Sequence, residues 1–233
     1  MYMSNKTTDF KEKFQEEILK KLSFRRLFIY CIGLFLIAIG ISISAKSSLG
    51  VSPVNSVPYT VSLISGFEQG LCTTAFFIVL ILIQFFISPK DFSLFSFLQI
   101  LCSFVFGWFV TLANICTVFI PTPENYPFQL LYIIVSLFFV AFGVYLYVNS
   151  DFLPLPSEGV MLAVSRKTGI AFHICKIIFD CSVVVGAAVI SLLVTGTLLG
   201  VREGTIIAAV FVGIIIKPIS KLLTKRLKTF LAD

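Results

Sequence analysis

Long apolar runs, interrupted by short polar stretches, make up most of the chain from residue 27 onward. A helix needs about 20 consecutive apolar residues to cross the hydrocarbon core of a membrane. The fold class that this pattern predicts is an all-α, polytopic membrane helix bundle with about six transmembrane helices. The predicted spans lie near residues 27–45, 71–88, 92–119, 128–148, 170–195 and 204–220.

Two shorter segments, 51–66 and 154–169, lie between the long runs. Each has proline near its start and glycine at its end. Each has room for about three or four helical turns, which is too short to cross a membrane. We predict two short helices that are either re-entrant, dipping into the membrane, or interfacial, lying flat on its surface.

An internal repeat becomes visible when the sequence is shifted by 103 residues. The pattern divides the chain into a first membrane repeat, 27–119, and a second, 128–220, each with three spans and one short helix. Because three spans is an odd number, the second repeat must enter the membrane from the opposite face. Such inverted repeats are common in secondary transporters. Matched pairs include Gly40 and Gly143, Ser47 and Ser150, Pro53 and Pro156, Gly66 and Gly169, and Cys72 and Cys175.

Composition supports a membrane protein without a soluble globular domain. The chain is 58% hydrophobic and 13% charged, whereas soluble domains carry about 25% charged residues. Its mean hydropathy is +1.00. The net charge of +6 could suggest nucleic acid, but the basic residues flank apolar runs, so membrane lipids are the predicted partner.

The two ends of the chain are basic and predict its orientation. Residues 1–26 hold seven of the 18 Lys and Arg, and apolar residues recur every fourth position from Phe10 to Leu22. We predict an amphipathic N-terminal helix on the membrane surface and a basic tail at 221–233. Because Lys and Arg concentrate on the cytoplasmic side, both termini are predicted to be cytoplasmic, in the cell (inner) membrane.

The fifth predicted span carries His173, Lys176 and Asp180, which their spacing places on one helical face. Charged residues inside a membrane are costly and usually functional. We take Lys176 and Asp180 as candidate substrate-binding residues, and Asp180 and His173 as candidates for proton coupling. The alternative is an ion pair that only fixes helix packing.

Polar residues also open the short helices and the sixth span. Asn55 and Glu158 occupy matching positions in the two repeats, and a carboxylate is favoured at a helix start. Arg202 and Glu203 are adjacent at the start of span six. Since neighbouring residues on a helix do not face each other, we expect them to find partners elsewhere. All four are candidate substrate-binding residues.

Other polar positions suggest structure rather than chemistry. Gln84, Gln99 and Asn114 are expected to hydrogen-bond between helices. The six cysteines are isolated in apolar runs, so no metal site or cofactor is predicted. Nucleotide-binding loops, nucleophile elbows and zinc motifs are absent from the sequence, and we do not expect an enzyme.

Four segments, 45–53, 153–160, 165–169 and 200–207, resemble the YczE/YyaS/YitT-like family of bacterial integral membrane proteins. The first contains the stretch Leu-Gly-Val-Ser-Pro. Where that family often has an acidic residue, two positions after the first-repeat proline, this chain has Asn55. The resemblance implies a multi-pass bacterial inner-membrane protein and supplies no substrate.

Three functions fit these observations. The first is a secondary transporter of a small solute, with its site between the inverted repeats. The second is a substrate-capture subunit that depends on a separate ATPase module for uptake of a vitamin or other small molecule. The third is a non-transporting membrane scaffold, with lipid contact or self-association as its role.

Overall fold

The computed structural model of the chain describes residues 23–89 and 94–232, which form eight helices and no strand. The short helices are α2, Pro53–Ser65, and α6, Pro156–Thr168. The long helices each include a stretch long and apolar enough to cross a membrane, so the predicted all-helical fold is confirmed. They are α1 (Phe24–Lys46), α3 (Gln69–Ile87), α4 (Leu94–Cys116), α5 (Tyr126–Asn149), α7 (Phe172–Thr195) and α8 (Glu203–Ala232).

The helix ends differ from the predicted spans in three places. Helix α4 stops at Cys116, and residues 117–120 form turns instead of completing the span predicted to reach 119. Helix α8 continues without a break through the predicted sixth span and tail as far as Ala232. Most of the predicted N-terminal helix, 1–26, lies outside the described residues, and its last three residues belong to α1.

The two short helices begin and end at matching residues. Pro53 and Pro156 occupy the first turn, where a missing N–H group costs nothing because that position has no intrahelical acceptor. Gly66 and Gly169 end the helices with φ of 74° each, a left-handed conformation that glycine adopts without strain. The 103-residue shift thus relates the two helices in structure as well as in sequence.

Helices α1 and α5, which correspond in the two halves, pack closely in opposite directions. A Cβ atom added at Gly33 would lie 2.7 Å from the backbone nitrogen of Tyr147. One added at Gly40 would lie 2.9 Å from the carbonyl oxygen of Ser136. The contacts move down α5 as they move up α1, so the pair is antiparallel, and the absence of side chains at these glycines permits the approach.

Each short helix packs against a long helix of the other half: α2 against α7, and α6 against α3. The largest core cluster lies between the halves, and joins Leu34 of α1 and Phe77 of α3 to Tyr147 of α5 and Val160 of α6. The two halves are therefore interlocked rather than placed side by side.

The pair α3 and α4 differs from its counterpart, α7 and α8. A side chain at Gly70 or Gly107 would overlap the facing helix, so α3 and α4 are in close contact. In the second half, His173 stands at the position matching Gly70, and the described parts of α7 and α8 do not pack along each other. A Cβ atom at Gly213 would meet nothing within 4 Å. We call the closely packed pair, α3 and α4, the closed pair, and the pair α7 and α8 the open pair.

Candidate functional site

A cavity of about 240 Å³ lies between the two halves, where both short helices begin. Its walls are mainly apolar and include Phe77, Phe106, Val144 and Val212. Phe77 and Phe106 stack with ring centroids 5.5 Å apart, which closes the wall formed by α3 and α4. The polar lining residues are Ser52, Asn55, Tyr147, Ser157, Glu158, Lys176 and Asp180.

Four of the residues singled out in the sequence come together in this cavity: Asn55, Glu158, Lys176 and Asp180. Asn55 and Glu158 are brought there by the first turns of α2 and α6. The two others project from α7, one helical turn apart. The cavity thus collects polar groups from both halves of the chain.

Lys176 and Asp180 form an ion pair along α7. The Lys176 Nζ atom donates to Asp180 Oδ2 at 2.9 Å. The Asp180 side chain is 18% exposed and that of Lys176 is 50% exposed. The second carboxylate oxygen of Asp180, Oδ1, is buried and has no partner among the described residues. The pair therefore leaves one acceptor unused on a residue that lines the cavity.

Glu158 is held by Tyr147, near the C-terminal end of α5. The Tyr147 hydroxyl donates a hydrogen bond to Glu158 Oε2 and accepts one from the backbone N–H of Leu155 at 3.4 Å. Tyr147 is 3% exposed. Sequence reasoning missed this residue, because a tyrosine in an apolar span looks like ordinary packing and its first-half counterpart is Ser44.

Asn55 is 6% exposed and uses only half of its amide. Its Nδ2 group donates to Ser52 Oγ at 2.8 Å, whereas its Oδ1 atom is buried and no described residue bonds to it. Buried polar atoms are nearly always hydrogen-bonded. Asn55 Oδ1 and Asp180 Oδ1 are thus two exceptions on residues that line the same cavity.

The structure does not bring Arg202, Glu203 or His173 to the cavity lining. Arg202 Nη1 donates to the Ser48 carbonyl at 3.1 Å, and Arg202 Nε lies 3.3 Å from Glu203 Oε2. The expectation that these neighbours would not pair was wrong. Helix α8 begins at Glu203, so Arg202 precedes it and helical spacing does not apply. His173 is exposed on the first turn of α7.

Of the three amides predicted to bond between helices, Asn114 does so, whereas Gln99 bonds to the loop before α6. Asn114 of α4 donates to Gln69 Oε1 of α3 at 3.2 Å, and Gln99 donates to the Pro154 carbonyl at 3.1 Å. Gln84 Oε1 is buried without a partner in the described part of the chain. Over the described residues, no three His, Cys, Asp or Glu side chains are grouped so as to hold a metal ion.

Six helices able to span a membrane, two short helices between them and an internal cavity define a polytopic membrane protein. The chain belongs to the family of unknown function DUF6198, whose model matches residues 24–221. The comparisons found no matching curated protein and no matching solved structure.

Proposed function

We propose that the chain is a secondary transporter of a small solute, which binds in the cavity between two inverted repeats. The observation that carries this proposal is the meeting of Asn55 and Glu158, at matching positions in the two halves, with Lys176 and Asp180 in one cavity. Broken helices that begin at a central site between inverted repeats are typical of secondary transporters.

The antiparallel packing of α1 and α5 supports the inversion. If corresponding helices cross a membrane in opposite directions, the axis relating the two repeats lies in the membrane plane. Each half also has three candidate spans, and an odd number of spans per repeat would likewise invert the second repeat relative to the first. We infer that both termini are cytoplasmic, and we keep the resemblance to YczE/YyaS/YitT-like proteins as a hypothesis.

The difference in packing between the pair α3 and α4 and the pair α7 and α8 supports a site whose access can change. The wall formed by α3 and α4 is closed, whereas the lining residues Lys176, Ala209 and Gly213, on α7 and α8, are exposed. A transporter must open its site to one side at a time, and a rearrangement of one repeat against the other around the site would achieve this.

The test is solute uptake by liposomes that contain only this chain. The liposomes are supplied with a solute mixture and their contents are identified by mass spectrometry. We expect at least one solute to accumulate without ATP. Glu158→Gln should reduce that uptake at least tenfold, whereas Glu124→Gln, the same change in an exposed loop, should not.

Two outcomes would contradict transport by this chain alone. Uptake that requires an added ATPase module would indicate the substrate-capture subunit. Absence of both uptake and solute binding would leave the membrane scaffold as the remaining candidate function.

A further inference from the structure

We propose that the solute is a small organic cation, a protonated amine that carries an apolar body. This inference rests on the proposed function only in taking the cavity as the solute site. It concerns which chemistry the cavity recognises, and binding alone can test it.

The first argument is the unused acceptors. Asn55 Oδ1 and Asp180 Oδ1 are buried and have no partner in the described part of the chain, and both residues line the cavity. Each atom can accept a hydrogen bond and neither can donate one when the carboxylate is ionised. A ligand with N–H donors, such as an ammonium group, offers the kind of partner that both atoms lack, whereas a carboxylate does not.

The second argument is the charge of the lining. Glu158 and Asp180 supply two carboxylates, and Lys176 supplies the single ammonium group among the lining residues. Lys176 already bonds to Asp180, so ionised Glu158 has no cationic partner within hydrogen-bonding distance among the residues that the structure describes. A charge in such an apolar setting is costly unless it is paired, and a cationic ligand would pair it.

The starts of α2 and α6 are the groups that would favour an anion instead, because a helix N-terminus carries partial positive charge. Here this effect is weakened. Pro53 and Pro156 lack an N–H group, and the Asn55 N–H is used by the Ser52 carbonyl at 2.9 Å. Glu158 lies in the first turn of α6 and already places a carboxylate there.

The third argument is the apolar wall. Phe77, Phe106, Val144 and Val212 are among the apolar residues that form most of the lining. A bare inorganic cation would leave this surface unused, whereas a hydrocarbon body would bury apolar area against it. The lining residues Lys176, Ala209 and Gly213 are exposed on α7 and α8, two candidate spans, so a route in between these helices would also suit a molecule with an apolar part.

The experiment measures binding to the purified full-length chain in dodecyl maltoside micelles, which carry no charge. The probes are straight-chain primary amines from propylamine to octylamine, each with the alcohol and the carboxylate of the same length. Calorimetry should show at least one amine that binds at least tenfold more tightly than both of its matched compounds. Glu158→Gln should weaken that amine at least tenfold, and Glu124→Gln should leave it unchanged.

Three results would overturn the proposal: no amine binds, an alcohol or carboxylate binds as tightly as its amine at every length, or Glu158→Gln has no effect. If Glu158→Gln fails to fold, Asn55→Leu removes the Oδ1 acceptor and should weaken amine binding selectively. Tight amine binding without liposome uptake would contradict transport and leave the cation site standing. Uptake of a neutral or anionic solute without amine binding would contradict the cation site and leave transport standing.

Discussion

The Tyr147 hydroxyl donates a hydrogen bond to the Glu158 carboxylate and accepts one from the N–H of Leu155, the residue just before α6. One buried side chain on α5 therefore fixes both the start of a short helix and the carboxylate that it carries into the cavity. A movement of α5 relative to α6 would change the surroundings of Glu158 directly.

Tyr147→Phe should destabilise the protein because it leaves a part-buried carboxylate and a buried N–H group without their partner. Removing one partner of a buried hydrogen bond costs about 1–3 kcal/mol. The measurement is thermal or denaturant unfolding in detergent. Tyr132→Phe is the matched control, since its hydroxyl bonds to the Pro121 carbonyl at an exposed site. Equal losses in the two variants would contradict the structural role of Tyr147.

The ion pair on α7 should matter more for transport than for folding. Asp180→Asn keeps the size of the side chain and should preserve the fold, while liposome uptake falls at least tenfold. Asp180→Leu leaves Lys176 without its partner on a helix able to span a membrane, where an unpaired charge is costly, so this variant should lose stability as well as uptake. Full uptake activity in both variants would exclude Asp180 from the site.

The closed pair, α3 and α4, and the open pair, α7 and α8, make opposite predictions for a glycine in each. Gly107→Ala should destabilise the protein by about 1–3 kcal/mol, because the added methyl group overlaps Thr74 and the Gly70 carbonyl. Gly213→Ala meets open space and should stabilise α8 by up to about 1 kcal/mol. Unfolding measurements on the two variants decide this, and a loss of similar size at Gly213 would show that α7 and α8 are packed together.

The predicted orientation can be tested by side-specific labelling in a chain whose native cysteines have been replaced. Asn125→Cys, in the loop before α5, should react with a membrane-impermeant maleimide added to intact cells. Arg166→Cys, exposed near the end of α6, should react only after lysis. The opposite result at both positions would place the termini outside.

Much of the fold was predictable because its signals are local. Apolar runs marked the six spans, and Pro53, Pro156, Gly66 and Gly169 marked the limits of the short helices to within two or three residues. The 103-residue shift brought Asn55 and Glu158 to equivalent helix starts. That step depended only on comparing the chain with itself.

The remaining features depend on contacts between distant parts of the chain. No spacing rule connects Tyr147 with Glu158, since the loop between α5 and α6 decides whether they meet. The pairing of Arg202 with Glu203 depended on the first residue of α8, where prediction is least reliable. The looser packing of α7 and α8 did have a signal in the sequence, because the 103-residue shift aligns His173 with Gly70. A search for matching residues does not register such a mismatch.

The central claim is that one cavity, between the two repeats, is reached from the two sides of the membrane in turn. The measurement is the reaction of Ser157→Cys, in a chain without native cysteines, with a small cationic methanethiosulfonate reagent. Ser157 is buried and lines the cavity, and the substitution changes one atom. The reagent is added to right-side-out vesicles and, separately, to inside-out vesicles. We predict reaction in both preparations, with protection by a bound amine in each, whereas reaction from one side alone would contradict a transporter.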